Sequence, residues 1–221
     1  MVDIFDEVDE ELRADRAQQL LKRYGGHLIA LAVLVVVGVG GWQGWRWWEH
    51  RRDLAAAEGF LTAMRAAEAL PADAPAAARL ERAGSFEQLA ATAPDGYRSL
   101  ARLRAAALRA EGGDLPGALA QWEAVAADGS ADAILRDHAA LAWVRHQIDT
   151  GDPAALRARL APLAGPGRPF RALALEASAL LDMRLGNTDA ARETLRTLAA
   201  DTTAPDGVRG RANGLLTRLG G

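Results

Sequence analysis

The sequence predicts an all-α protein: one N-terminal apolar helix long enough to cross a membrane, then a series of stacked helix pairs. Three observations carry this. Ala (50) and Leu (31) make up more than a third of the 221 residues, while only three Val and two Ile follow Asp53. Ala and Leu lose least on entering a helix, and strands draw on the β-branched residues that are scarce here. Residues 25–45, GGHLIALAVLVVVGVGGWQGW, carry no formal charge. Beyond them, Gly- and Pro-containing breaks recur at a near-constant spacing.

The chain opens on an acidic leader, MVDIFDEVDEELRADRAQQLLKRY, with seven acids and four bases. Ile4, Val8 and Leu12 recur every four residues and would share one helical face. That face suits a short docking helix for a partner; a solvated, partly helical leader explains the same residues.

The charge-free run of 21 residues is enough for a helix to cross a hydrocarbon core, which needs about 20. Tyr24 and Trp42 bracket its most apolar part, and Trp42, Trp45, Trp47 and Trp48 cluster at one end, where amphipathic rings favour the headgroup level. The long acidic leader and the lack of a small-x-small site argue for a retained span over a cleaved signal peptide. Arg13, Arg16, Lys22 and Arg23 before the run balance Arg46, Arg51, Arg52 and Arg65 after it, so the charge rule does not orient the span. Gly40-x-x-x-Gly44 is a pattern that lets spanning helices approach closely, and homodimerisation is an expectation on that ground alone.

After the span, breaker residues divide the chain into helices expected near 54–70, 76–92, 97–111, 115–127, 132–149, 153–163, 168–185, 188–199 and 206–219. Gly113-Asp114, Gly151-Asp152 and Gly186-Asn187 lie 38 and 35 residues apart, and Gly220-Gly221 follows about 34 later. Five residues after each Gly stand Ala118, Leu156 and Ala191; nine after, Trp122, Leu160 and Leu195; twelve after, Val125, Leu163 and Leu198. A small or apolar residue followed by large apolar ones at fixed offsets is what a second helix needs to nest against a first. Helix–turn–helix units with a period near 34 are the tetratricopeptide pattern, and such units stack because none buries its apolar face alone. The expectation is a degenerate, tetratricopeptide-like right-handed α-solenoid over residues 97–221. Arg102, Arg109, Gln147 and Ser130 depart from the usual repeat.

In such a solenoid the first helix of each pair lines the concave face. Counting back from each turn places His138, Arg145, Asp149, Glu176 and Arg184 there, and these are the candidate protein-binding residues. Their mixed charge suits a polypeptide better than a polyanion. Trp122 and Trp143 fall at repeat-packing positions and are expected in the core.

The sequence offers little to an enzyme. There is no Cys, so no thiolate metal site or thiol nucleophile. The four His form no His-Glu-x-x-His pair, and the only Lys, Lys22, follows no glycine-rich phosphate loop. Gly38-Val39-Gly40-Gly41 lies inside the apolar run and follows no strand, unlike a dinucleotide fingerprint. A net charge of −3 does not favour nucleic acid. The reading is therefore a non-enzyme with no cofactor and no metal. Gly165-Pro166-Gly167-Arg168-Pro169 is expected to be a connector.

The order of parts, and the stretches IFDEVDEELRADRAQQLLKRYG, RDHAALAWVRHQIDTGDPAALRARLAPL and LEASALLDMRLGNTDAARETLRTL, resemble the ancillary subunit of the bacterial Sec translocon (the YfgM-like family). Glu176, Ala179, Gly186, Ala191 and Arg192 stand where that family tends to have Glu, a small residue, Gly and Ala-Arg. The resemblance implies a single-pass inner-membrane protein with a cytosolic N-terminus and a periplasmic repeat domain. Its implied partners are the Sec translocon and a membrane-anchored, prolyl-isomerase-like periplasmic chaperone, besides membrane lipid. The family brings no catalytic residues. The expected organisation is a leader (1–24), a span (25–48), connecting long helices (49–96) and the repeat domain (97–221). An assembly factor of another envelope machine, in secretion or division, stands as the alternative.

Overall fold

The computed structural model describes the backbone of residues 4–220 and the side chains of residues 22–220 except Leu28. The leader face of Ile4, Val8 and Leu12 lies outside the described side chains. Among the described residues all regular structure is helical, with no strand: α1 (Ile4–Glu68), α2 (Ala76–Thr92), α3 (Asp95–Glu111), α4 (Leu115–Ala126), α5 (Ala133–Arg145), α6 (Pro153–Leu160), α7 (Arg171–Arg184), α8 (Thr188–Ala200) and α9 (Asp206–Arg218). The chain divides into two compact units, Met1–Arg52 and Asp53–Gly221.

In the first unit, α1 carries the charge-free run as continuous helix, and every large apolar side chain described there, from Ile29 to Trp48, is exposed. Soluble proteins rarely leave so large an apolar sheath in water. It is the one candidate span among the described residues, and it is compatible with a single-pass anchor.

The second unit begins with the last residues of α1. Phe60, Ala63, Met64 and Ala67 pack with Phe86 of α2 and with Ala101, Ala105 and Leu108 of α3. Phe60 meets Phe86 edge-on at 5.7 Å and Tyr97 at 6.1 Å. Residues between Phe60 and Ala90 thus share a core with α3.

From α3 onward the helices pair as the spacing predicts. All nine positions at the fixed offsets are buried: Ala118, Trp122 and Val125 on α4, Leu156, Leu160 and Leu163 on and after α6, and Ala191, Leu195 and Leu198 on α8, none more than 3% exposed. The turns at 113 and 186 have the same build. Gly113 and Gly186 take φ of 83° and 77°, a left-handed conformation that costs glycine least. Asp114 N–H returns to the Arg109 carbonyl and Asn187 N–H to that of Asp182, the six-to-one bond of a Schellman stop. Asp114 then caps α4 by accepting from the Gly117 amide at 3.0 Å, and Asp152 caps α6 by accepting from that of Ala155 at 2.9 Å. Gly151 serves a different need: a Cβ there would meet the Gln147 carbonyl oxygen at 2.9 Å.

The helix expected near 54–70 is not separate but the end of α1, and three other expected helices are shorter than their pattern by three residues or more. α6 stops at Leu160, three residues early, because Pro162 lacks an amide and its ring excludes the carbonyl four residues back. α7 starts at Arg171 and not at 168, because Pro169 biases Arg168 away from helical ψ. α5 ends at Arg145, four residues before 149. The carbonyls of Ile148 and Gly151 in the following turn accept instead from the Arg184 guanidinium, at 2.6 and 2.7 Å.

Arg109, which departs from the repeat pattern, replaces an apolar contact with an ionic one. It lies bidentate on Glu87 of α2 at 2.5 and 2.8 Å, also donates to Asp114, and Glu87 accepts in addition from Gln121 of α4 at 3.1 Å. These charge-assisted bonds tie α2, α3 and α4 together at one point.

Candidate functional site

The first helices of successive pairs touch one another, α3 with α5, α5 with α7 and α7 with α9. Along α7, between α5 with its following turn on one side and α9 on the other, lies an open cleft of about 500 Å³. Its apolar lining is Ile148, Leu173, Ala177, Leu180 and Leu215, and its polar lining is Arg145, Glu176, Arg211 and Arg218, with Gly214 between.

Sequence spacing explains who stands there. Arg145, Leu180 and Leu215 are successive members of one register, 35 residues apart, and Glu176 and Arg211 are related by the same step. One helical surface is thus presented three times side by side.

Glu176 is a buried acid at 8% exposure. Burying a carboxylate is costly unless it is paired, and Arg211 pairs it with two parallel hydrogen bonds, Nε to Oε1 at 2.6 Å and Nη2 to Oε2 at 2.8 Å. Those bonds raise the Arg211 pKa above the usual arginine value, against a smaller opposing effect of burial. Arg145 and Arg218 are exposed and form no ion pair with the described residues. Each sits in the last turn of its helix, where the backbone dipole favours a cation without a carboxylate partner. Three guanidiniums and one carboxylate give the cleft a positive balance within a chain of net charge −3.

Of the five residues placed on the concave face from sequence, the cleft brings together Arg145 and Glu176. His138 lies two turns before Arg145 on α5, its ring 5.8 Å from that of Phe170. Burial, and secondarily Arg145, lowers its pKa below the ordinary histidine value. Asp149 is exposed on the turn after α5. Arg184 donates to the Ile148 and Gly151 carbonyls and is not among the residues lining the cleft. The sequence reading missed Arg211, Leu215 and Arg218; continuing the 35-residue step from Glu176 and Leu180 would have found the first two.

Trp122 is buried as expected, stacked on His146 with ring centroids 4.5 Å apart. Trp143 is half-buried beneath Arg159, which lies 3.9 Å from its ring centroid and pairs with Glu123. Neither is presented as an open ligand platform. Among the described residues no three His, Asp or Glu side chains are grouped to hold a metal ion.

A family model described as the tetratricopeptide repeat-like domain matches residues 18–201. The chain belongs to that family. The matched range takes in the apolar run as well as the helix pairs through α8. It ends before α9, which supplies Arg211, Leu215 and Arg218 to the cleft. No curated protein and no solved structure matches the chain. Tetratricopeptide repeat-like domains are typically non-enzymatic, protein-binding scaffolds, and a basic, apolar-floored cleft on stacked first helices suits that role.

Proposed function

We propose that this tetratricopeptide repeat-like protein is a single-pass inner-membrane scaffold. In this reading the N-terminus is cytosolic and the periplasmic repeat domain holds a segment of a protein partner in the α5–α7–α9 cleft. The observation that carries it is the pairing of an apolar floor with two guanidiniums, Arg145 and Arg218, that form no ion pair with the described residues, in one concavity. An apolar side chain flanked by carboxylates satisfies both parts at once, and its charge would discriminate against basic segments. Anchoring by α1 confines the cleft to the membrane surface, which raises the effective concentration of membrane-bound partners without any new contact.

The resemblance to the ancillary translocon subunit supports a finer proposal. The scaffold links the Sec translocon to a membrane-anchored periplasmic chaperone of the prolyl-isomerase-like type. Two measurements test it. An alkaline phosphatase fusion after Gly221 should be active, and a fluorescent fusion that matures only in the cytosol should be dark; the opposite pair rejects the orientation. Proximity crosslinking from Arg145 should recover a translocon or chaperone component. Recovery of a secretion or division complex alone would replace those partners and leave the scaffold reading standing.

A further inference from the structure

At the C-terminal end of the charge-free run, three arginines lie over three tryptophans, each one turn back along the helix. The Arg46 guanidinium carbon is 4.9 Å from the Trp42 ring centroid, that of Arg51 4.2 Å from Trp47, and that of Arg52 4.7 Å from Trp48. Helical side chains lean toward the N-terminus, so each guanidinium is carried back toward the apolar run and rests on an indole face. At about 100° per residue the three pairs fall about 100–140° apart around the helix axis. They form a collar, not a stripe. The three arginines are spread over about 9 Å along the axis and the full pairs over about 15 Å, enough to reach from the edge of the hydrocarbon through the headgroup layer of one leaflet. The fourth indole, Trp45, has Glu49 one turn on and meets Trp48 instead, at 5.5 Å.

We propose that this collar binds the headgroup phosphates of anionic phospholipids. The inference rests on the membrane-span reading of α1. A guanidinium lying over an indole face still has N–H donors to offer, and its planar fork matches two phosphate oxygens. The stacking fixes the side chain beforehand, so less rotamer freedom is lost on binding. Because the pairs surround the helix, phosphates are engaged on every side, as suits a span bathed in lipid. A helix seated in a bundle would need its cations only on the outward face.

The test uses the full chain in vesicles of phosphatidylcholine and phosphatidylglycerol, with one or the other lipid carrying a nitroxide near the headgroup end of an acyl chain. Tryptophan fluorescence is the readout. Four of the six tryptophans lie at the collar, and Trp122 and Trp143 in the repeat domain supply a constant background. The labelled phosphatidylglycerol should quench at an about fivefold lower mole fraction than the labelled phosphatidylcholine, since each arginine near an anionic surface contributes about 1 kcal/mol. Replacing Arg46, Arg51 and Arg52 together by Gln, with helix content checked by circular dichroism, should bring the two curves together. Equal quenching in the unaltered chain, or a preference that survives the triple substitution, overturns the collar and leaves the span intact. Quenching by neither lipid overturns the span, and the collar with it.

Discussion

Glu176 on α7 and Arg211 on α9 are joined by two parallel hydrogen bonds across the cleft, yet their surroundings are unequal. The acid side chain is 10% exposed and the arginine side chain 54%. Removing one partner strands the other in a very different place.

Arg211→Gln is therefore expected to destabilise the repeat domain more than Glu176→Gln. The first leaves a buried carboxylate short of its partner; the second leaves a largely solvated cation. Costs of about 2 and about 1 kcal/mol are expected, scaled down from fully buried pairs because of that exposure. Urea denaturation of the full chain in detergent, followed by the repeat-domain tryptophans, measures both. Equal costs would contradict the asymmetry.

Arg184→Ala should lower stability by about 1–3 kcal/mol, because the Ile148 and Gly151 carbonyls lose a shared charged donor. If the residue serves packing alone, partner binding by the fraction that stays folded should be unchanged. A weakened affinity at full folding would return Arg184 to the binding surface.

Gly113→Ala and Gly151→Ala should each cost about 1 kcal/mol or more, for different reasons. At 113 the positive φ is the obstacle, and Asn, which tolerates that conformation, should partly rescue stability. At 151 the obstacle is the close Gln147 carbonyl, so Asn should do no better than Ala. Thermal unfolding of the four variants separates the two mechanisms.

Two histidines predict a pH dependence. Burial, and then the Arg145 charge, lowers the pKa values of His138 and His146 below the ordinary value. A histidine whose pKa falls on folding resists protonation in the folded state. Its stabilising contribution is complete above the unfolded pKa of about 6.5 and is lost as pH falls through the lower folded value. Stability should thus decline between pH 7 and pH 5, by less than about 1 kcal/mol per ring because both are partly solvated. Arg145→Gln should shrink the decline; an unchanged profile would remove Arg145 as a cause.

Much of this architecture is legible in the residues because repeat packing is periodic. The three-residue signature after each turn glycine anticipates nine buried positions, since a small or apolar residue followed by two large apolar ones is the shape one helix offers another. The helix ends were less legible. Pro162 and Pro169 sit inside apolar patterns that continue past them, and backbone geometry overrides the pattern there. The turn that follows α5 is bonded by Arg184, 36 residues away from Ile148, which no local signal announces. The cleft was half legible. Arg145 and Glu176 follow from position on a first helix, whereas Arg211 and Arg218 come from a Gly-rich helix with a weak pattern of its own.

The measurement that bears most directly on the scaffold reading is photocrosslinking in native membranes from a probe at Gly214. A side chain there meets no other atom within 4 Å, and the position opens into the cleft. A discrete polypeptide adduct is expected, its crosslinked segment rich in carboxylates, and it should disappear when Arg145 and Arg218 are both changed to Gln. The same adduct from a probe at Ala154 on α6, or one from Gly214 indifferent to those two arginines, would contradict recognition through this cleft.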